Sequence, residues 1–391
     1  MDYNFIHRIA IAGYRSIRAL TISLGQLNVV TGPNGCGKSN LYRALGLLSN
    51  TAQGQLVASL AREGGLSSVL WAGPESMSGS MQAGTQPVQG TLRKKPVALK
   101  LGIAAEPFSY CFDLGLPVPS ASMFSRDPEM KRECLWRGIG MDAPSLCADR
   151  KKSTLRCRSA GGKWQDVDML LHGQSSMLSE YLDPFGAPEI ILMKQVLASW
   201  RFYDTFRTDS DSPARRVQPG TFTPVMASDG SNLAAALQTV REIGDSDQLN
   251  ALIDQAFPGC RARVVSTDSG LELLLDQPGM LRELSVAEVS DGTLRFLLLV
   301  TALLSPRPPA FLVLNEPENS LHPELIPALA TLISKAAERS QVLVVSHSQA
   351  LVSALEEHED CVSLHLQKKL GETTLVDSNA LDQFGWKWPS R

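Results

Sequence analysis

Residues 32–39 read Gly-Pro-Asn-Gly-Cys-Gly-Lys-Ser and match the spacing GxxxxGK[ST] in full. Each residue type in that pattern suits one task. The glycines let the backbone close around a phosphate with its N–H groups pointing inward, and a helix starting behind them adds positive potential. Lys38 has the reach and charge for β- and γ-phosphates, and the Ser39 hydroxyl suits Mg2+. A second chemical element follows the apolar run Phe311 to Leu314, where the chain continues Asn315-Glu316-Pro317-Glu318. At such a strand end the first residue holds the Mg2+ water shell and the second polarises an attacking water. Glu316 fits the second task, whereas Asn315 offers a carbonyl oxygen without a charge. A third element is His347, placed directly after the apolar run Val342 to Val345, where it can reach a γ-phosphate.

The surrounding pattern places these residues on an α/β frame. Phe5 to Ile11 and Leu20 to Leu24 alternate as strands, and Leu27 to Thr31 reads as a buried strand ending at the glycine loop. A helix is expected from about Gly37 past Leu48, with Leu41, Leu45 and Leu48 on one face. Residues 73–91 read as a mobile loop, and strands follow at 96–104 and 108–114. The stretch 116–282 reads as irregular, with Pro- and Cys-spotted loops, helices near 188–200, 232–242 and 246–256, and strands near 261–266 and 271–275. The last part returns to alternation: helix 291–305, strand 310–314, helix 323–338, strand 341–346, helix 348–356. Such alternation predicts parallel strands covered by helices. Three parts are expected: an N-terminal lobe with the glycine loop and antiparallel strands over 1–115, an insertion or lid over 116–282, and a C-terminal lobe over 283–391.

Composition narrows the function classes. With 43% hydrophobic and 20% charged residues, the 391-residue chain has globular composition rather than that of a disordered one. A net charge of −3 excludes a uniformly basic nucleic-acid coat but allows a local basic patch. The longest apolar run, 296–304, is far shorter than the roughly 18 residues a bilayer requires, so no membrane partner is expected. The N-terminus lacks a signal-peptide profile, and seven cysteines without a CxxC pair point to reduced thiols and a cytoplasmic location. Within 126–163 lie Arg126, Lys131, Arg132, Arg137, Arg150, Lys151, Lys152, Arg156, Arg158 and Lys163, with Trp136 and Trp164 in or beside the run. Basic groups with nearby aromatics suit a DNA backbone and stacked bases, while a solvated loop with locally paired arginines is the other reading. Arg215-Arg216 and Lys368-Lys369 are weaker signals of the same kind.

Taken together, the elements resemble the ABC-type ATPases, and within them the RecF/SMC/OLD-like branch of DNA repair and phage defence. Tyr14-Arg15-Ser16-Ile17 resembles the aromatic-basic-serine element ahead of the P-loop in RecF and SMC heads. Glu316-Pro317-Glu318-Asn319-Ser320-Leu321-His322-Pro323 resembles the run that follows their acidic strand, and Val289-Ser290-Asp291-Gly292-Thr293 resembles their degenerate signature. The resemblance covers about 1–50 and 284–365. It implies a P-loop NTPase fold with a mixed sheet covered by helices and a large α+β insertion between P-loop and signature. It also implies ATP and Mg2+ as cofactors and an ATP-dependent homodimer in which Ser290 and Gly292 of one copy face nucleotide held by the other. Arg15, Asn34, Gly35, Cys36, Gly37, Lys38, Ser39 and Asn40 would line the nucleotide, Ser39 and Asn315 the metal, and Lys38, Glu316 and His347 the reacting phosphate. The family's usual aspartate is Asn315 here, which favours slow turnover and, as a rival reading, a nucleotide-gated scaffold. About 44 residues follow His347, too few for an appended metal-dependent nuclease, so a nuclease or effector is expected as a separate partner. A transporter energy subunit fits less well, because the insertion is large and the signature degenerate.

Overall fold

The computed structural model describes residues 5–75, 78–82, 85, 98–118, 121–124, 126–159, 161–204, 206–376 and 386–391. The chain divides into two compact units. The first comprises Met1–Leu24, Gly32–Trp200 and Leu364–Arg391, and the second Gly25–Thr31 with Arg201–Ser363. These boundaries cut the chain differently from the three-part division read from sequence.

The first unit is built on an eight-stranded sheet. Its strand order is Ile17–Ser23, Phe5–Tyr14, Leu99–Glu106, Phe108–Gly115, Glu129–Arg137, Leu146–Lys151, Thr154–Arg158 and Trp164–Asp166, every pair antiparallel. Residues 129–166 therefore correct the expectation of irregular loops. The alternation was hidden because positions that face the interior carry charges: Glu133 and Arg150 are 0% exposed. A buried charge is tolerated only when paired and hydrogen-bonded. Here Arg150 donates to Glu133 Oε2 at 3.1 Å and to the carbonyls of Lys152, His172 and Ser175. The helix Lys38–Ala52 buries Leu41, Leu45 and Leu48 and packs on the helix Pro188–Ser199, where Ser49 Oγ donates to the Leu197 carbonyl at 2.8 Å. The expected loop 73–91 lies largely outside the described residues, as does the start of the strand expected at 96.

The second unit holds four parallel strands in the order Arg201–Tyr203, Phe311–Asn315, Gln341–Val345 and Leu27–Thr31. Near-continuous Val and Leu in the last three matches strands buried on both faces. The helices Leu233–Ile243, Ser246–Ala256, Asp291–Leu303, Ile326–Ala337 and Gln349–Glu356 contribute to one apolar core with them. A short antiparallel sheet of Arg261–Thr267, Gly270–Asp276 and Leu284–Ser285 adjoins that core. Because the four strands run in parallel, Tyr203, Asn315, Val345 and Thr31 end at the same side of the sheet. Gly32 continues the chain from Thr31. No helix among the described residues is long and apolar enough to cross a membrane.

Candidate nucleotide site

In the first unit, the glycine loop and the start of the helix Lys38–Ala52 form a cradle. Gly32, Gly35 and Gly37 have φ of 142°, 76° and 114°, the region that a side chain rarely adopts. Space is closed as well: a Cβ on Gly37 would lie 2.1 Å from Thr373 Oγ1. Lys38 is 5% exposed, and its ammonium donates to the carbonyls of Gly32 at 2.6 Å and Pro33 at 3.1 Å. The cation is thus held over the loop itself, where a phosphate would bring its charge. Asn34, Gly35 and Ser39 are exposed, whereas Cys36 and Gly37 are buried beneath them.

A brace that sequence reasoning missed fixes this loop. Thr373 Oγ1 donates to the Cys36 carbonyl at 2.7 Å and lies 2.7 Å from Ser16 Oγ, which accepts from Asn40 Nδ2 at 2.7 Å. No local pattern marks Thr373, which stands 337 residues from its partner. Arg15 occupies the turn between the first two strands with φ 48°. Its guanidinium pairs with Glu63 at 2.6 Å, and the Tyr14 hydroxyl donates to the same carboxylate oxygen at 2.8 Å.

In the second unit, three strand ends bring the acidic and histidine elements together. Glu316 has φ 48°, a conformation costing a non-glycine residue roughly 1–3 kcal/mol. Three contacts hold it there. Its N–H donates to the Val345 carbonyl at 2.7 Å, its carbonyl accepts from Arg295 at 3.1 Å, and its carboxylate accepts from Asn319 Nδ2 at 2.5 Å. The free carboxylate oxygen Oε1 stands 3.2 Å from His347 Nε2. Glu318 ties the two loops: one oxygen accepts from Ser346 Oγ at 2.6 Å, the His347 N–H at 2.9 Å and the Ser348 N–H at 3.1 Å. Arg295 lies buried on the helix Asp291–Leu303, and burial depresses its pKa against the opposing influence of Glu318, Asp204 and Glu316. Asn315 Nδ2 donates to Asp204 Oδ1 at 2.7 Å. Arg295 and Asp204 carried no motif in the sequence, and Glu318 stood in a quoted run without a task.

Ser290 caps the same helix, accepting from the Thr293 N–H at 3.2 Å, with Gly292 the second residue of the helix. Arg215 holds this entrance. It donates to the carbonyls of Val286, Ala287 and Val289 and pairs with Asp291 at 2.7 Å. Arg215 is therefore a structural clamp rather than a nucleic-acid contact.

Part of the basic run 126–163 is paired locally, while Arg126, Lys151, Lys152 and Lys163 are exposed. Arg132 and Arg156 both pair with Asp149 at 2.7 Å, Arg137 with Glu189 at 2.8 Å, and Lys131 with Glu129. Arg158 donates to the carbonyls of Ala143 and Pro144, Trp136 is buried, and the Trp164 ring lies 4.7 Å and 5.1 Å from the Arg156 and Arg158 guanidiniums. Local pairing is present, but on strands rather than on a solvated loop.

The residues of each unit suit part of a nucleotide with Mg2+: in the first, Lys38 supplies a cation and Ser39 a hydroxyl oxygen; in the second, Asn315 and Asp204 supply amide and carboxylate oxygens. Among the described residues no group of three or more His, Cys, Asp or Glu side chains is placed to hold a metal ion alone. Mg2+ typically needs only one or two protein carboxylates besides phosphate oxygens and water.

Residues 27–353 match the model of the family described as "AAA domain, putative AbiEii toxin, Type IV TA system". No curated protein matches the chain. Among solved structures, an SMC head bound to the C-winged helix domain of ScpA is 14% identical with a TM-score of 0.51, over 95% of this chain and 97% of that one. An SMC head domain from Thermotoga maritima is 14% identical with a TM-score of 0.48, over 96% and 99% of the two chains. An SMC head domain with an extended coiled coil, bound to the C-terminal domain of ScpA derived from Pyrococcus furiosus, is 13% identical with a TM-score of 0.48, over 95% and 96%.

Proposed function

The chain belongs to this AAA domain family and has the P-loop ATPase fold of the ABC, SMC and RecF type, and from that premise we propose that it binds and hydrolyses ATP with Mg2+. In this reading the glycine loop and Lys38 hold the phosphates, and Ser39 and Asn315 face the metal. When bound, Mg2+ neutralises phosphate charge and steadies the leaving oxygen. Glu316 orients the attacking water and takes its proton, and His347, 3.2 Å from Glu316, senses the γ-phosphate. The observation that carries the reading is the constrained Glu316. Its backbone is held in the left-handed region from two sides, and its carboxylate stands 3.2 Å from His347. Strain of this kind persists only where neighbouring structure over-determines it, and it clusters at active sites.

The reading extends to an ATP-dependent homodimer, in which the Ser290 helix end of one copy meets nucleotide held by the other. The positive potential at the start of that helix, which Ser290 caps, supports the assignment. The family description supports a nucleotide-driven switch for a toxin–antitoxin or phage-defence partner over a place in DNA repair. Within 126–163, the exposed Arg126, Lys151, Lys152 and Lys163 support a DNA contact, while the pairing of Arg132, Arg137 and Arg156 leaves fewer cations for it. Asn315 favours a second reading, a nucleotide-gated scaffold with little turnover.

Steady-state ATP hydrolysis tests the assignment. Lys38→Ala is expected to lower turnover by at least about a hundredfold, as for loss of one major electrostatic stabiliser. Equal turnover in the variant would refute the phosphate site. ATP binding without turnover in the parent would select the scaffold.

A further inference from the structure

The acidic strand ends in an amide where a metal-facing carboxylate is usual, which leaves the charge for Mg2+ to be found elsewhere. The neighbouring strand supplies it. Arg201–Tyr203 runs parallel to Phe311–Asn315, with Tyr203 opposite Leu314, so Asp204 leaves the sheet beside Asn315. The two side chains meet at 2.7 Å. A carboxylate only accepts, so the amide must turn its NH2 towards Asp204 and its carbonyl oxygen away. Asp204 is exposed, so its carboxylate is open to solvent and to a metal's water shell. The pair thus offers a neutral oxygen from Asn315 and a full negative charge beside it.

We propose that Asp204 is the metal-shell carboxylate of this protein, and that Asp204 and Asn315 together replace the single aspartate of the acidic strand. Asp204 acts on the metal's water shell or on the metal itself, and it also fixes which way the Asn315 amide points. This rests on the nucleotide-site reading above. It further explains how an amide at position 315 is compatible with a metal-dependent site: the charge has moved one strand along the sheet. Nothing in the local sequence announces it, because the two residues are 111 positions apart.

Mn2+ binding in the presence of a non-hydrolysable ATP analogue, followed by electron paramagnetic resonance, tests the proposal without turnover. Asp204→Asn keeps an acceptor for the Asn315 amide and removes only charge. It is expected to weaken Mn2+ binding about 10- to 100-fold, the usual range for loss of a supporting group at a metal. Binding of a fluorescent ATP analogue in EDTA should be unchanged. The exchange variant Asp204→Asn with Asn315→Asp puts the charge back on the acidic strand and should restore most of the Mn2+ affinity. Unchanged Mn2+ affinity in Asp204→Asn, or no recovery in the exchange variant, would overturn the role of Asp204 while leaving the nucleotide site standing. A parent protein that binds no nucleotide in EDTA or with Mn2+ would overturn both.

Discussion

Replacing Arg295 separates positioning of Glu316 from every other role of the site. The guanidinium donates to the Glu316 carbonyl at 3.1 Å while Glu316 sits at φ 48°. A left-handed non-glycine residue costs roughly 1–3 kcal/mol, and a hydrogen bond from a charged donor contributes roughly 1.5–3 kcal/mol. The two nearly balance, so removing the bond tips Glu316 towards ordinary backbone conformations. Each 1.4 kcal/mol is about a factor of ten in the population of the working arrangement. Arg295→Met should therefore lower kcat about 10- to 100-fold, with KM for ATP little changed, since Lys38 and the glycine loop are untouched. Stability should fall by less than the loss in kcat. Burial already disfavours the Arg295 charge, and the carboxylates of Glu316 and Asp204 retain solvent access. A loss under about 2 kcal/mol by urea denaturation is expected, because methionine fills similar volume without a buried charge. Arg295→Lys keeps charge with a single donor head and should fall between. Parent-like kcat in Arg295→Met, or a kcat loss matched by equal destabilisation, would refute the positioning argument.

Two further outcomes follow from other parts of the molecule. Glu316→Gln retains size and hydrogen-bonding reach but cannot act as base, so with ATP and Mg2+ it should run as a dimer in size-exclusion chromatography with light scattering. ADP should not sustain that dimer, adding Ser290→Arg should return it to monomer, and an ATP dimer indifferent to Ser290→Arg would sink the sandwich arrangement. Arg150→Met leaves Glu133 buried without its cation, so denaturant unfolding should show a loss of about 3–5 kcal/mol. A loss below about 1 kcal/mol would mean that this pair does not hold the sheet, since that is the scale of an exposed ion pair.

What was legible in the sequence divides along a physical line. The glycine loop, the acidic strand and His347 were readable because phosphate chemistry needs fixed residue types at fixed local spacing. The parallel strands were readable because strands buried on both faces must be runs of Val and Leu. The sheet over 129–166 was not readable, because charged residues are buried on both of its faces, Arg132 with Asp149 and Glu133 with Arg150, in pairs set by strand neighbours rather than sequence neighbours. The same charges made the segment look like a surface for DNA. The supports of the site were hidden for a related reason. Asp204, Arg295 and Thr373 reach Asn315, Glu316 and Cys36 only through tertiary contacts. A motif records which groups the chemistry must have near the phosphates. Which residues aim those groups is decided by whatever the fold brings alongside, and so one acidic position can be divided between two strands without leaving a trace in either local pattern.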